Sequence, residues 1–234
     1  MSYARWIIEI AGIKISTTVT TSWLIIGFLA IVSYFLTRNL KKVPTSKVQI
    51  FLEFAVIALV DLVESTMGKN AVKRMPNMVP YIGGLFKFFT CSNLIGLLGF
   101  RSTTTELDTT LAFSLITVFL IYYGGFKTSG ISYFKGLAEP VAIMLPMNII
   151  SEIARPISLS FRPFGNILGG ALIMSLIYQF LGYLSSLIPK LTIPIFQLGI
   201  PVPLHMYFDL FSGVLQAFIF VMLTLVFVGS AVEE

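Results

Sequence analysis

Charged residues are scarce in this chain of 234 residues, and cysteine is almost absent. Asp, Glu, Lys and Arg make up 12% of the sequence, whereas an average soluble domain has about a quarter. So few charges cannot cover the surface of a water-soluble globule. The single cysteine, Cys91, excludes an intrachain disulfide and a cysteine metal cluster. Its apolar surroundings indicate a small packed side chain rather than a reactive thiol.

Several motifs that indicate other kinds of protein are also missing. The N-terminus has neither a signal-peptide pattern nor an Arg/Ser-rich transit segment, so we expect the first helix to direct its own insertion. The phosphate-binding pattern Gly-x-x-x-x-Gly-Lys-Ser/Thr is absent, and no nucleotide site is expected. No internal repeat of the inverted-transporter kind is visible. The net charge of +5 requires no nucleic acid, because basic residues beside membrane spans report topology and contact with anionic lipid.

Long apolar runs occupy the space between the few charges. Apolar residues make up 56% of the chain, and the mean hydropathy is +0.89. Charge-free runs of at least 18 residues cover 15–37, 109–126, 163–189 and 210–232. About 20 apolar residues in a helix cross the hydrocarbon layer. The sequence therefore predicts an all-α membrane protein that crosses the bilayer several times.

The distribution of basic residues predicts the orientation. Arg38, Lys41 and Lys42 follow the first span and should be cytoplasmic, which puts the N-terminus outside. In segment 46–66 three acids and a glutamine fall on one arc of a helix, which favours a helix lying along the membrane surface. We therefore predict a single integral membrane domain, residues 1–234, with that surface helix and about five spans, at 17–37, 79–99, 105–125, 141–187 and 205–230.

The last two helices are predicted to be long and strongly tilted. The segment 141–187 exceeds the length of one perpendicular crossing, so it must tilt or begin on the surface. A proline-rich linker at 194–203 separates it from the last helix. Five crossings put the C-terminus in the cytoplasm. Lys127 and Lys135 then lie inside and Lys190 lies outside, in agreement with the positive-inside rule.

Few polar groups lie at membrane depth, and the first set surrounds Arg162. This arginine precedes 27 residues without a charge. An arginine at the bilayer centre costs about 2.5 to 3.5 kcal/mol on insertion scales, so it needs a partner or a water-filled cavity unless it reaches an interface. Ser158 and Asn166 share its helix face, and Gly165 and Gly169 form a small-residue pair that permits close approach of another helix.

A second polar stripe runs along the last helix. His205, Asp209, Ser212, Gly213 and Gln216 recur at steps of three or four residues. A carboxylate at membrane depth is costly unless it is hydrated, protonated or paired. The alternative is that Asp209 caps the last helix near the outer surface. Two polar stripes on the last two helices indicate an ion path.

Four segments resemble subunit a of F-type ATP synthases of the bacterial type. The most specific is Ser158-Leu-Ser-Phe-Arg-Pro-Phe-Gly-Asn166, and the last helix adds Gln216-Ala-Phe-Ile-Phe-Val-Met-Leu-Thr224. The likeness continues in Thr105-Glu-Leu-Asp-Thr-Thr-Leu-Ala112 and Ser92-Asn-Leu-Ile-Gly-Leu-Leu-Gly99. The segments occur in the family's order and cover most of the chain from about residue 80 onward.

The resemblance implies a stationary ion-channel subunit with two offset half-channels that carry H⁺ or Na⁺ to a rotating c-ring. Arg162 corresponds to the essential arginine that separates the half-channels and couples ion flow to rotation. His205 has no family counterpart and is expected at an interface rather than in a relay. Neither a cofactor nor a resident metal is expected, and a transported Na⁺ would contact Asp209 only in transit. The ion-path candidates are Asp209, Asn166, Gln216, Glu106, Asp108, Ser158, Ser212, Asn148 and His205.

Three positions depart from the family pattern. Pro163 stands where many relatives have leucine; it removes the backbone hydrogen bond to Leu159 and disfavours helical geometry at Arg162. Ala171 and Asn148 stand where acids are frequent. Asp209 is then expected to be the main carboxylate of the external channel, and the loss of titratable groups suits H⁺ and Na⁺ about equally.

The resemblance also implies partners and a location. The partners are the c-ring, the b subunits of the peripheral stalk, the soluble catalytic sector and membrane lipid, in the bacterial plasma membrane and without nucleic acid. Catalysis would take place on other subunits of the complex. A self-contained transporter or channel that binds an anionic substrate through Arg162 is the competing interpretation. A purely structural membrane anchor is a third, which leaves Arg162 and Asp209 without a purpose.

Overall fold

The computed structural model describes residues 8–10, 13–44, 46–98, 102–133, 143, 145–187 and 194–233. Within these residues the chain is almost entirely helical, which confirms the all-α membrane class. One small feature was not predicted. Strands β1 (Ile8–Ile10) and β2 (Ile13–Ile15) form an antiparallel hairpin before the first helix.

Shorter helical turns lie between some of the α-helices of the described residues. One is a π-helical segment, Met206–Phe211. Short 3₁₀ turns lie at Ile95–Leu98 and Thr103–Thr105. The α-helices are α1 Thr17–Thr37, α2 Lys47–Met67, α3 Lys69–Arg74, α4 Met78–Leu94, α5 Leu107–Ser129, α6 Leu145–Ser186, α7 Ile195–Gly199, α8 Pro201–His205 and α9 Ser212–Glu233.

Most boundaries lie close to the predicted ones, and the main difference concerns the proline-rich linker. Helix α1 begins where expected because the Ser16 side chain accepts the Thr18 backbone N–H at its start. The predicted linker at 194–203 is instead helical in α7 and α8. Proline is tolerated in the first turn of a helix, where its missing N–H has no intrahelical acceptor. Pro201 and Pro203 occupy that turn of α8, so the final helical stretch begins at Ile195 rather than near 205.

Four helical stretches are long and apolar enough to cross a membrane: Thr17–Thr37, Leu107–Ser129, Leu145–Ser186 and Ile195–Glu233. Helix α4 has 17 residues, a length of about 26 Å, slightly short of the hydrocarbon thickness. The 3₁₀ turn that follows it adds the missing length. Helix α2, predicted to lie on the surface, is not among the four. Its placement and the five-span arrangement stay predictions.

Helix α9 is the centre of the packed core. Phe220 stacks on Phe89 of α4 with ring centroids 4.6 Å apart. A Cβ atom added at Gly229 would lie 3.0 Å from the Met67 Cα, so this glycine permits the close approach of α2. Interhelical contact through small residues and aromatic rings is the usual means by which membrane helices associate. The core therefore fixes α9 against α2, α4 and α5.

Helix α6 is long and passes through two prolines. Its 42 residues span about 63 Å, twice the hydrocarbon thickness, so it can cross a bilayer only when strongly tilted. It continues through Pro156 and Pro163 without interruption. The prediction that Pro163 disfavours helical geometry at Arg162 is therefore wrong. The buried ring of Pro163 is held by packing, while the Leu159 carbonyl still loses its usual i+4 donor.

Candidate functional site

Helices α6 and α9 run antiparallel and bring the two predicted polar stripes together. Asn166 Nδ2 donates to Gln216 Oε1 at 2.6 Å. About three turns toward the N-terminus of α6, the Arg155 guanidinium lies over the Phe227 ring, 5.8 Å from its centroid. Residues earlier in α6 therefore contact residues later in α9. This antiparallel register gives the position of every other group of the site along α6.

Arg162 is exposed and is the last α6 residue, counted from the N-terminus, to line a cavity of about 290 Å³. Within the described part of the chain its guanidinium has no hydrogen-bond or ion-pair partner. An arginine at membrane depth was expected to need a partner or a cavity, and Arg162 lines a cavity. The lining comes from one face of α6 and from α9: Ser151, Ala154, Arg155, Ser158, Leu159, Arg162, Leu223 and Phe227.

Polar side chains interrupt the mostly apolar lining of this cavity. Ser158, an ion-path candidate, contributes a hydroxyl beside Arg162. Leu159 also lines the cavity, and its carbonyl has no N–H to accept at Pro163. Polar backbone groups at membrane depth need partners, and they occur where a water-filled space supplies them.

One turn beyond Arg162, Gln216 is buried with an exposed fraction of 1%. Its carbonyl oxygen accepts from Asn166, but its own amide nitrogen has no acceptor among the described residues. Leaving a buried amide donor unsatisfied costs about 1–3 kcal/mol. A buried polar group left without a partner is typical of a functional site rather than a packed core. The pair closes the α6–α9 interface beside the arginine.

A hydrogen-bonded row of three side chains lies further along α6. Tyr178 Oη is 3.0 Å from His205 Nε2, and His205 Nδ1 is 2.5 Å from Asp209 Oδ2. The His205 and Asp209 side chains are 40% and 37% exposed at the surface of this chain. Tyr178 was not predicted from the sequence, and His205 was expected at an interface. The structure places His205 directly between a phenol and a carboxylate.

The backbone at Asp209 argues against the capping alternative. Asp209 lies inside the π-helical segment of a helical stretch that began at Ile195. Its side chain makes no capping hydrogen bond to the backbone there. A π-helical turn inside a longer helix frequently marks a functional site. Asp209 therefore presents its carboxylate to His205 instead of ending a helix.

The remaining candidates lie at helix starts. Glu106 occupies the N-cap position of α5, Asp108 its exposed first turn, Ser212 the first residue of α9, and Asn148 the first turn of α6. None of these four reaches the Asn166–Gln216 pair. Among the described residues no three His, Cys, Asp or Glu side chains lie together in a group that could hold a metal ion.

A buried hydroxyl network connects the start of α5 to α9. Asn93 Nδ2 donates to the Gly213 carbonyl at 2.7 Å, and Thr104 Oγ1 donates to Asn93 Oδ1 at 2.5 Å. Ser102 Oγ lies 2.8 Å from Thr104 Oγ1. Only the fold reveals that these hydroxyls reach α9. The network fixes the backbone next to Ser212, beside the π-helical segment.

One charged cluster near the cavity was also missed. Arg155 Nη1 lies 2.7 Å from Glu152 Oε1, and Tyr122 Oη donates to Glu152 Oε2 at 3.2 Å. Arg155 lines the cavity that contains Arg162. The i,i+3 spacing of Glu152 and Arg155 was visible in the sequence. The tyrosine comes from α5, which no local pattern predicts.

A known protein family matches most of this chain. The family model described as ATP synthase A chain matches residues 19–229. The chain belongs to this family. The match includes both polar stripes and the cavity, and it confirms the resemblance seen in the sequence.

Individual relatives extend over nearly the whole chain. ATP synthase subunit a, sodium ion specific, of Propionigenium modestum is 35% identical over 95% of this chain and 76% of its own length. The chloroplastic ATP synthase subunit a of Bigelowiella natans is 33% identical over 93% of this chain and 86% of its own length. ATP synthase subunit a 2 of Bradyrhizobium sp. (strain BTAi1 / ATCC BAA-1182) is 35% identical over 96% of this chain and 92% of its own length.

Membership establishes the general function. The family forms the ion channel of ATP synthase together with the c-ring and transports H⁺ or Na⁺. The chain is a multi-pass membrane protein of this complex. The alternative of a self-contained transporter with an anionic substrate finds no support in these comparisons.

Proposed function

We propose that Arg162 separates two half-channels that reach the c-ring from opposite sides of the membrane. The observation that carries this proposal is the position of its exposed guanidinium along α6. The cavity lies on its N-terminal side, and the row Tyr178–His205–Asp209 lies on its C-terminal side. The two proposed routes therefore approach Arg162 from opposite ends of α6.

Arg162 lies midway between two acids along the axis of α6. Glu152 lies ten residues before Arg162, which is about 15 Å at 1.5 Å per residue. In the antiparallel register Asp209 lies about as far on the other side. Because α6 is strongly tilted, these distances correspond to less than the thickness of the hydrocarbon layer, so both acids lie at membrane depth.

The mechanism follows from electrostatics. A c-ring carboxylate that approaches Arg162 is stabilised in its charged form and releases its ion. It re-enters lipid only after a new ion neutralises it, because a bare charge in hydrocarbon is expensive. The fixed cation also repels ions that would pass directly between the half-channels. Each elementary charge that crosses 100 mV supplies about 2.3 kcal/mol to rotation.

The face of α6 beside Arg162 is open to a partner. A Cβ atom added at Gly165 or Gly169 meets nothing within 4 Å in this chain. The close helix contact that this glycine pair predicts is therefore available to another subunit. We assign this face to the c-ring, since it presents Arg162 and the small residues on the same side.

Cross-linking should show this contact directly. A cysteine at Gly165, labelled with a benzophenone reagent in a Cys91→Ala background, should give an adduct with subunit c on illumination. Ser160→Cys is the matched control, since Ser160 lies on the same helix but is 0% exposed within the chain. Its adduct should be absent or confined to subunit a. An equal yield of c adducts from both positions would contradict the assigned face.

The outer route is assigned to the row that ends at Asp209. No other Asp or Glu lies between Pro163 and Val232, so this carboxylate is the acid that both final helices offer to an ion. His205 holds it from one side and is itself held by Tyr178. A carboxylate of this kind can accept H⁺ or contribute an oxygen to Na⁺ in transit.

We further propose the orientation and partners that the basic residues and the family indicate. The N-terminus lies outside, and the loop at 38–44 and the C-terminus lie in the cytoplasm of a bacterial cell. The b subunits and the soluble catalytic sector contact the assembled complex on that side. Lys135 and Lys190, two of the markers used for the orientation, lie outside the described residues.

The orientation can be measured with an impermeant thiol reagent. In a chain without Cys91, Lys42→Cys should label only from the cytoplasm and Ser186→Cys only from outside, because the proposed orientation puts the end of α6, at Ser186, outside. Both positions are exposed. Labelling of both from the same face would contradict the five-span arrangement and make α2 a true span.

A further inference from the structure

Two arginines line the cavity, although the ions that the family transports, H⁺ or Na⁺, are themselves cations. Both arginines line this space, and Arg155 lies about two turns nearer the N-terminal end of α6 than Arg162 does. An H⁺ or Na⁺ that uses the cavity therefore comes close to the Arg155 guanidinium. Like charges repel strongly in a narrow space with low-dielectric walls. An uncompensated Arg155 would therefore act as a second barrier in a place where the mechanism needs none.

Glu152 is placed to remove that barrier. Its Oε1 lies 2.7 Å from Arg155 Nη1, and its side chain is only 13% exposed. The other carboxylate oxygen, Oε2, accepts from Tyr122 at 3.2 Å. Both oxygens are thus engaged, one by the charge partner and the other by a residue of a neighbouring helix. The phenol holds the carboxylate toward the cavity wall.

We infer that Glu152 neutralises Arg155 and thereby keeps the α6 N-terminal half-channel permeable to cations, with Tyr122 positioning its carboxylate. The inference rests on the proposed function, because it gives the cavity its role as a half-channel. It adds residues that the stripes around Arg162 do not include. Glu152 acts here as a charge-compensating residue and need not carry the ion itself.

A purely structural role predicts different behaviour. A partly exposed i,i+3 ion pair contributes little to stability. If the pair only stabilised α6, a single variant would lower the amount of assembled complex, the double variant would lower it less, and the conductance per assembled complex would stay unchanged. If Glu152 compensates Arg155, loss of the acid alone lowers the conductance per assembled complex, and additional removal of the arginine restores it. Conductance normalised to assembled complex, together with its salt dependence, therefore separates the two roles.

The test uses the intact complex in native membranes with Glu152→Gln, Arg155→Gln and the double variant. The readouts are passive H⁺ and Na⁺ conductance after removal of the soluble sector, and ATP synthesis driven by an imposed gradient. Glu152→Gln should lower the conductance at least fivefold, and Glu152→Gln/Arg155→Gln should return it to within twofold of wild type. The deficit of the single variant should shrink as ionic strength rises, because salt screens the uncompensated charge.

Controls make each outcome decisive. Asp61→Asn removes an exposed acid from α2, remote from the cavity, and should leave conductance unchanged. Glu152→Asp keeps the charge and should retain most of the activity. Wild-type conductance in Glu152→Gln, or a double variant as impaired as the single one, would overturn the inference. If Arg162→Ala is inactive while Glu152→Gln is normal, only this inference fails; if Arg162→Ala is active, the proposed function fails.

Discussion

Replacing Arg162 by alanine should abolish ion-coupled ATP synthesis while leaving the assembly of the complex nearly intact. The guanidinium is exposed and makes no hydrogen bond or ion pair within the described chain, so its removal breaks no packing contact. Without the fixed cation, a c-ring carboxylate passing α6 loses the group that stabilises its charged form. Ion release would then no longer be tied to that position of the ring, and rotation would no longer follow the gradient.

The measurement is ATP synthesis by inverted or right-side-out membranes under an imposed H⁺ or Na⁺ gradient, normalised to the amount of assembled complex. Arg38→Ala is the matched control, because it removes an exposed arginine from the loop after α1. It should retain wild-type synthesis. Near-normal synthesis by assembled Arg162→Ala complex would contradict the central assignment.

Lysine at position 162 should not restore the function. An ammonium keeps a positive charge but lacks the planar fork with which a guanidinium contacts a carboxylate. It also loses its proton more readily in a desolvated place. Arg162→Lys is therefore expected to fall close to the alanine variant. Full activity with lysine would show that charge alone suffices.

Helical periodicity was enough to predict one part of the site. Ser158, Arg162 and Asn166 share a face because they follow one another every four residues, and Gln216 lies on the polar face of the last helix for the same reason. Polar side chains at membrane depth have a high free energy unless they contact other polar groups or water, so two such stripes are expected to face each other or a water-filled space. The Asn166–Gln216 hydrogen bond shows that they do face each other.

The groups that the sequence analysis missed depend on contacts between helices. Tyr178 is one tyrosine among nine in the sequence, and only the antiparallel register of α6 and α9 brings it to His205. Tyr122 reaches Glu152 from α5, across 30 positions of the chain. The proline-rich segment before Asp209 was predicted as a linker because proline usually ends helices. The structure shows the exception, in which Pro201 and Pro203 occupy the first turn of α8.

Replacing Asp209 by asparagine should slow coupled synthesis severalfold and change its dependence on the external ion. Asparagine keeps the size of the side chain and removes its charge, so packing around His205 is preserved. No other Asp or Glu lies between Pro163 and Val232, and in the antiparallel register Asp209 lies partly exposed on the side of Arg162 toward the C-terminal end of α6, which is the proposed outer side. An ion that approaches the c-ring from outside would then lose its carboxylate contact.

A structural role predicts a different result for the same variant. If Asp209 served only to cap a helix or to orient His205, its loss would cost about 1 kcal/mol of stability, and transport by assembled complex would be unchanged. The deciding measurement is synthesis driven by an imposed gradient across a series of external pH values and Na⁺ concentrations. On our assignment the half-saturating ion concentration shifts, and the direction of dependence shows whether H⁺ or Na⁺ uses this route.

Tyr178→Phe is the matched variant for this experiment. It removes the hydroxyl that holds His205 Nε2 but leaves the Asp209 carboxylate in place. We therefore expect a smaller loss of rate than with Asp209→Asn and a concentration dependence that moves in the same direction. Comparison of the two variants, Tyr178→Phe and Asp209→Asn, tests whether the row Tyr178–His205–Asp209 acts as a unit. If Asp209→Asn leaves the concentration dependence of synthesis unaltered, Asp209 does not belong to the ion path, and the outer half-channel must follow other groups.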